Sequence, residues 1–457
     1  MGLEGIMRFI PSVSVPQREV AFKERLLWTL LALLVYFGLT EVPVIGLDVQ
    51  AESYFAQVSA ILGASLGKLA MLGIGPIVTA SIILQLLAGS GILNIDLNTH
   101  QGRAWFQGMQ KLLALIFSFL EAGSLVLLGN MKASSPEFVK WIILQIALGA
   151  IIIIYLDELV SRWGIGSGVS LFILASVSKQ LFIRTFDITR TLDGKFVGII
   201  PDMIRVLMQG GAKLSDILSY YIIPLAVTVV IFLVVVYAQS LRIEVPLVMS
   251  SFRGFGRKWP LKFIYTSNMP VILASALLIN LRLFGSILSS KGIYILGKFN
   301  EYGYPESGLL YYLTPPNNFL INLIHWNLTA TDVVRAVLYL IFFVILSVIF
   351  SVFWMITSGM GPADVARQII NAGMQIPGFR RDPRVIERVL ERYIPPLTVL
   401  GGAFVGLLAA FADIFSALVS GTGLLLAVMI AHNMYEQIMR YNLEAMPSLM
   451  RRLISKS

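Results

Sequence analysis

An apolar stretch opened by a proline break occurs twice in the chain, at residues 73–87 and 268–278. Both copies follow the order Pro, two β-branched residues, any residue, Ala, Ser, any residue, an aliphatic residue and Leu, starting at Pro76 and at Pro270. Irregular backbone at membrane depth persists only where protein or water satisfies its polar groups, and in duplicated membrane proteins the corresponding interrupted helices meet at the functional centre. The repeat therefore predicts a duplicated membrane protein in which these two helices line a pathway.

Apolar runs recur along the whole chain. Hydrophobic residues make up 57% of the sequence and charged residues 13%, against about 45–50% and about 25% in ordinary soluble domains. A helix needs about 20 residues to cross the hydrocarbon core. The runs predict an all-α polytopic membrane protein with ten transmembrane helices, at about 25–40, 73–93, 105–129, 137–159, 167–186, 217–241, 260–286, 332–358, 395–414 and 421–441.

A second internal sequence repeat supports duplication of the two halves. Gly-x-Gly sequences open the fifth and tenth spans, as residues 166–169 (Gly-Ser-Gly-Val) and 421–424 (Gly-Thr-Gly-Leu). Because each half has an odd number of spans, the second half is inverted in the membrane relative to the first. We predict two inverted five-helix halves, 1–186 and 217–457, joined by an external hinge loop at 187–216. Residues 54–66 have a helical pattern but are too short to span, which predicts a half-helix before Pro76.

Lysine and arginine are concentrated in one set of connections. This set includes the amino-terminal arm, the carboxy-terminal tail and two long basic loops at 242–262 and 359–394. The positive-inside rule predicts that both termini and both loops of a multi-pass cell-membrane protein are cytoplasmic. In the second loop we expect a helix from 362 to about 372 and another starting at Asp382 and Pro383. Three arginines of the second of these helices are spaced four residues apart and share one face: Arg384, Arg388 and Arg392.

Catalytic chemistry finds little support in the sequence. There is no cysteine, and the three histidines are far apart along the chain. Residues 63–69 resemble a phosphate-binding loop, but the glycines are one residue too close and Leu69 replaces the Ser or Thr that holds magnesium. We predict no enzyme activity, no metal site and no cofactor. Without an energy-coupling motif, any work must be driven by a partner or a gradient.

Three polar side chains lie within otherwise apolar spans: Gln85, Glu121 and Asn268. Polar groups facing lipid are costly, so these residues should face protein or water and are functional candidates. The alternative is that they only pin helices together by hydrogen bonds. Next to the breaks the residues are aliphatic: Ile74, Val78, Val169 and Ile272. An aliphatic constriction gates by excluding water, whereas plain helix packing is the alternative meaning of any one of them.

Several stretches carry a resemblance that runs essentially from end to end of the chain. The chain resembles SecY, the channel subunit of the Sec protein translocon, in its archaeal form. The stretches are 72–80 (LGIGPIVTA), 85–87 (QLL), 110–112 (QKL), 155–158 (YLDE), 164–168 (GIGSG), 393–399 (YIPPLTV) and 434–437 (MYEQ).

The resemblance implies a channel through which unfolded chains cross the membrane and through whose side membrane helices enter lipid. The pore ring of the family would consist of Ile74, Val78, Val169, Ile173, Ile272 and Leu426. The half-helix would be the plug, with Tyr54, Phe55, Val58, Ile61, Leu62 and Leu66. A lateral gate would lie between the two proline-marked helices, with Pro76, Gln85, Glu121, Asn268 and Pro270.

The resemblance also implies partners. The two basic loops would dock a ribosome carrying a nascent chain, through Arg253, Arg257, Lys258, Arg380 and Arg381. Other expected partners are signal sequences, unfolded polypeptides, membrane lipid and two small single-span subunits, one of them similar to SecE. A solvated positive-inside face is the alternative for any one arginine. From the residues alone, an inverted-repeat transporter of a small solute remains the main alternative function, and an intramembrane hydrolase is a more distant one.

Overall fold

The computed structural model describes residues 10–48, 65, 67–89, 92–93, 99–127, 132–190, 194–209, 214–249, 256–300, 304–316, 319–371, 374–375, 383–415 and 417–445. The helices in these ranges are α1 (Phe22–Glu41), α2 (Gly75–Gly89), α3 (His100–Leu127), α4 (Phe138–Trp163), α5 (Gly168–Phe186), α6 (Ile199–Gln209), α7 (Leu214–Ser240), α8 (Met269–Ser290), α9 (Leu309–Tyr312), α10 (Phe319–Ile324), α11 (Ala330–Thr357), α12 (Pro362–Asn371), α13 (Pro383–Glu391), α14 (Ile394–Ile414) and α15 (Gly421–Ala445). The strands are β1 (Leu47–Asp48), β2 (Lys132–Ala133), β3 (Arg242–Met249), β4 (Gly256–Lys262), β5 (Lys298–Phe299), β6 (Pro305–Ser307) and β7 (Met374–Gln375).

Each of the ten predicted spans is a helix, so the ten-span prediction is confirmed. Seven of these helices are long and apolar enough to cross a membrane by those two criteria alone: α3, α4, α5, α7, α8, α11 and α14. Of the other three, α2 is apolar but shorter, and α1 and α15 carry charged residues near their ends. The predicted half-helix at 54–66 lies outside the described residues, except for Ser65.

Span seven begins later than expected. We predicted a start near 260, but α8 begins at Met269, with Pro270 in its first turn. The residues before it form β4, which pairs with β3 in an antiparallel hairpin, and β7 extends this sheet along β3. The first long basic loop is therefore a β-hairpin. The sequence signal for it was the alternation of polar and apolar residues from Arg242 to Val245.

The second basic loop folds into a helical projection, as expected. α12 and α13 pack together against the start of α14, and Ile369, Ile386 and Leu390 from the two short helices are buried in a shared apolar cluster. α13 begins at Pro383, whereas its expected cap, Asp382, lies outside the described residues. The three arginines of α13 and its end are exposed: Arg384, Arg388 and Arg392.

The largest apolar cluster draws on helices of both halves. It contains residues of α1, α2, α4 and α5 from the first half and of α7, α8, α11, α14 and α15 from the second. Small residues permit close helix approach, as is typical of membrane proteins: a Cβ on Gly402 or Gly406 would lie within 2.8 Å of Ser351 or Ser347 on the facing helix α11. The two halves are thus joined at a common apolar centre.

Candidate channel constriction and lateral gate

The two interrupted helices begin with the same backbone conformation. Gly73 (φ +54°) and Ser267 (φ +58°) both lie in the left-handed region, each three residues before the proline that marks its helix, Pro76 or Pro270. A left-handed residue turns the chain sharply into the helix, at little cost for glycine and at some cost for serine. The sequence repeat is therefore a repeat of structure as well.

The starts of α5 and α15 are also alike, because each is held by an aspartate from the preceding helix. Asp157 on α4 accepts a hydrogen bond at Oδ1 from the backbone N–H of Val169, at 2.7 Å. Asp413 on α14 accepts one at Oδ1 from the N–H of Thr422, at 3.2 Å, and its Oδ2 accepts the Thr422 hydroxyl at 2.5 Å. Both carboxylates satisfy N–H groups that have no partner within the helix. Each helix pair, α4–α5 and α14–α15, is thus tied together at its connection.

Glycine is required at the first position of both capped helices. A Cβ at Gly168 would lie 2.4 Å from the backbone of Asp157, and one at Gly421 would lie 2.1 Å from the backbone of Ala412. Both distances are shorter than real Cβ contacts. The structure therefore pairs Gly168 with Gly421. The Gly-x-Gly sequences alone would instead pair Gly166 with Gly421, two residues earlier in the first half.

The residues expected to form the pore ring come from these four helix starts. Five of the six are buried in one apolar cluster: Ile74, Val78, Ile173, Ile272 and Leu426. None of the five is more than 4% exposed, and the sixth, Val169, packs against the cluster. That these residues line a pore stays a prediction; an entirely aliphatic lining excludes water and ions.

Four ring residues occupy matching positions in the two halves. Val78 and Ile272 each lie two residues after the proline of their helix, and Ile173 and Leu426 each lie five residues after the first glycine of theirs. The remaining two ring residues belong to the first half and have polar counterparts in the second. The centre of the predicted ring is therefore built twice by the same local geometry.

A hydrogen-bonded chain crosses from α3 through α2 to α8. The hydroxyl of Thr79 on α2 donates to Oε1 of Glu121 on α3, at 2.7 Å. Nδ2 of Asn280 on α8 donates to the Thr79 hydroxyl oxygen, at 3.0 Å. The second bond joins the two halves, because α2 belongs to the first and α8 to the second. It lies at the seam where the sequence predicted a lateral gate.

The other two polar candidates lie apart from this chain. Gln85 is 1% exposed, and its Oε1 has no hydrogen-bond partner among the described residues. Asn268 precedes α8 and accepts a hydrogen bond from the hydroxyl of Ser267 at 3.1 Å. Sequence reasoning missed Thr79 and Asn280. An amide within the apolar span α8 was a usable signal for Asn280, by the criterion that selected Gln85.

Little of the expected ribosome-docking surface lies within the described side chains. The backbone of Arg257 and Lys258 forms part of β4, whereas Arg253, Arg380 and Arg381 lie outside the described residues. The six plug candidates also lie outside them: Tyr54, Phe55, Val58, Ile61, Leu62 and Leu66.

A polar clamp holds the predicted hinge loop against α7. Oδ2 of Asp202 on α6 accepts the Tyr221 hydroxyl at 2.7 Å, and Oδ1 accepts the N–H of Phe196 at 3.0 Å and Nε of Arg205 at 2.8 Å. Burial by itself would raise the pKa of Asp202, but these hydrogen bonds and the positive charge of Arg205 hold it below its ordinary value. The carboxylate is therefore stabilised in its charged form.

Ten membrane helices in two inverted halves, packed around an apolar cluster to which both halves contribute, define a two-halved membrane channel. The family model of SecY matches residues 68–435. The chain belongs to the SecY family.

Relatives of known sequence and structure agree with this assignment. The protein translocase subunit SecY of Methanothermobacter thermautotrophicus is 44% identical over 454 residues, which cover 98% of this chain and 97% of the relative. A solved structure described as a protein-conducting channel has a TM-score of 0.84 and 41% identity, covering 97% of this chain and 98% of the other. Sec61 in the canine ribosome–channel complex from the endoplasmic reticulum has a TM-score of 0.81 and 40% identity, covering 97% of each chain.

Proposed function

We propose that this protein is a protein-conducting channel that passes unfolded secretory polypeptides across the cell membrane and releases transmembrane segments sideways into lipid. One observation carries the proposal: aliphatic residues from four matching helix starts, two in each half, meet in one buried cluster. A seal made of two halves opens when the halves separate, and its apolar lining excludes ions at rest. The channel itself is no enzyme, and its partner supplies the driving force.

The seam between α2 and α8 serves as the lateral gate. Its cross-half hydrogen bond, from Asn280 to Thr79, is a weak closure, because interhelical hydrogen bonds in membranes contribute about 0.6 kcal/mol on average. A signal sequence or membrane segment that prefers lipid can therefore part the helices. The half-helix at 54–66 acts as the plug in the closed state, in keeping with the family resemblance.

The β3–β4 hairpin and the α12–α13 projection form the ribosome-docking surface on the cytoplasmic side, together with both termini. Exposed arginines on α13 and the basic residues of β4 supply positive charge for ribosomal RNA phosphates. Sec61, a relative, was solved in a ribosome–channel complex. Two small single-span subunits, one similar to SecE, complete the assembly.

The decisive experiment is crosslinking of a ribosome-bound nascent chain that is stalled during passage. The protein, reconstituted with its small subunits, carries a photoreactive residue in place of Val78 or Ile272. Adducts with the nascent chain are expected from both positions. The matched control is Leu233, which is 58% exposed on the outside of α7 and should give none. Adducts from Leu233 alone, or from none of the three, would refute the proposal.

Docking is tested separately by charge reversal. Replacing Arg257 and Lys258, or Arg380 and Arg381, with Glu should weaken ribosome binding and flatten its salt dependence by about one unit of slope per lost phosphate contact. Reversal of the exposed Lys291, just after α8, serves as the control. Equal affinity and equal slope in all variants would show that the basic residues are only a solvated face.

A further inference from the structure

A polar cavity of about 340 Å³ lies next to the constriction. The start of α5, the ends of α7 and β4, the start of α8 and the second half of α15 line it, and ten of its fourteen lining residues are polar. Pockets of about 300–1,000 Å³ are large enough to hold a ligand. Polar residues gathered within a membrane protein point to a use, because they are costly where they face only protein or lipid.

The cavity lies about one helical turn from the ring, on the side of the β3–β4 hairpin. Its residue Asn268 precedes the ring residue Ile272 by four positions, and its residue Ile430 follows Leu426 by four. Four residues of helix rise about 6 Å. Because the hairpin side is the cytoplasmic side in the proposed function, a chain entering the channel passes this cavity just before it reaches the seal.

Two buried amides in the cavity wall have nitrogen atoms without a hydrogen-bond partner among the described residues. They belong to Gln239, which is 2% exposed, and Asn268, which is 6% exposed. A buried polar group left unpaired costs about 1–3 kcal/mol. Such groups in a native protein call for an explanation. Once their side chains turn toward the cavity, these donors would be satisfied by a carbonyl oxygen that enters it.

The neighbours of Asn268 direct its amide. Asn433 on α15 donates to the Ser267 hydroxyl at 2.8 Å, and that hydroxyl donates to Oδ1 of Asn268 at 3.1 Å. The Asn268 side-chain oxygen therefore already accepts a hydrogen bond, whereas its N–H₂ group has no partner among the described residues. Ser267 adopts a left-handed conformation that is uncommon for serine. Strain of this kind persists where the surrounding structure holds a residue for a purpose.

The charged groups of the cavity are already paired with one another. Lys262 contacts Glu436 at 2.5 Å, and Glu436 also contacts Arg242 at 2.9 Å. Of these three groups only Lys262 and Glu436 line the cavity, and their charges cancel. The cavity wall therefore offers an ion no net charge, whereas it offers a neutral dipole two amide N–H₂ groups. A peptide group is such a dipole, and it is the one group that every unfolded chain carries whatever its sequence.

We infer that this cavity binds the backbone of the entering polypeptide, with Gln239 and Asn268 donating hydrogen bonds to peptide carbonyl oxygens of an extended segment. The inference rests on the proposed function and adds a site for its substrate. Binding through the backbone makes the contact independent of sequence, and it holds the chain in an extended form at the entrance of the ring.

The test uses the stalled nascent-chain complex, with a photoreactive residue in place of Met434 in the cavity wall or of Val78 in the ring. Changing Gln239 and Asn268 together to Leu should lower the adduct yield from the Met434 position about fivefold, the ratio that about 1 kcal/mol gives, and leave the yield from Val78 unchanged. Ser240→Ala is the matched control, because Ser240 neighbours Gln239, does not line the cavity and donates only to its own helix.

Two further measurements distinguish a loss of backbone binding from a general disturbance of the fold. A nascent chain with backbone esters in the stalled segment has weaker carbonyl acceptors, so its adduct yield in the unaltered protein should fall to that of the leucine variant. Gln239→Leu alone should raise the unfolding temperature, because it removes a buried nitrogen that has no partner among the described residues. Gln239→Met serves as a second variant that keeps the side-chain length.

The possible results separate this inference from the proposed function. An unchanged yield from the Met434 position, a yield that falls equally at Val78, or a lower unfolding temperature in Gln239→Leu would overturn the backbone-binding site. Absence of adducts at both positions in the unaltered protein would overturn the proposed function itself.

Discussion

The seam between the halves offers a prediction in which two similar substitutions act in opposite directions. Asn280→Leu removes the hydrogen bond to Thr79 that joins α2 and α8 in the closed state. At about 0.6 kcal/mol for such a bond, opening should become about threefold more favourable. Gln85→Leu removes a buried oxygen that has no partner among the described residues, so it should stabilise the packed arrangement of the seam by about 1 kcal/mol.

The assay is membrane insertion of a graded series of Leu/Ala segments. A leucine at the centre of a helix contributes about 0.5 kcal/mol to insertion. The midpoint of the series should therefore fall by about one leucine in Asn280→Leu and rise by about two in Gln85→Leu. Ser275→Ala is the matched control on α8, because its hydroxyl donates only to the carbonyl of Val271 in the same helix.

The directions of the two midpoint shifts show whether the hydrogen bond contributes to closure. If both leucine variants moved the midpoint in the same direction, general hydrophobicity of the seam would explain them and the hydrogen bond would have no role. If Asn280→Leu matched Ser275→Ala, the bond between the halves would not contribute to closure.

Three other parts of the structure give testable expectations. Val78→Ser combined with Ile272→Ser should raise the resting ion conductance in a planar bilayer, because the ring stays dry only while it is apolar; unchanged conductance in a folded variant would remove both residues from the ring. Asp413→Ala should lower stability by about 1–3 kcal/mol in thermal unfolding, because it leaves the N–H and the hydroxyl of Thr422 without their acceptor; an unchanged unfolding temperature would show that the cap is dispensable. The depressed pKa of Asp202 contributes stability that is complete above its unfolded pKa of about 3.9 and is lost as the pH falls through the folded value. The hydrogen-exchange protection factors of α6, which are corrected for the intrinsic pH dependence of exchange, should therefore fall below about pH 4 and should stay constant there in Asp202→Asn.

The sequence was most informative where one local pattern decides the structure. Hydropathy located all ten spans, and the proline and glycine breaks located the helix starts that carry Val78 and Ile272. The β3–β4 hairpin was missed because a long basic segment between spans was taken for a loop, although its alternation was present. The bond from Asn280 to Thr79 joins residues 201 positions apart, and it depends on how two helices are rotated and staggered. No local pattern specifies that geometry.

The depth of the proposed ring sets how much of a passing chain it contacts at once. Its paired residues, Ile74 with Val78 and Val169 with Ile173, are four positions apart, so the constriction is about 6 Å deep. An extended chain advances about 3.3 Å per residue, and only about two residues occupy the constriction at any moment. Charged or bulky side chains thus cross the apolar barrier almost one at a time, which keeps the free-energy cost of each step small. The same two residues fill the opening while they pass, so the moving chain itself takes the place of the seal.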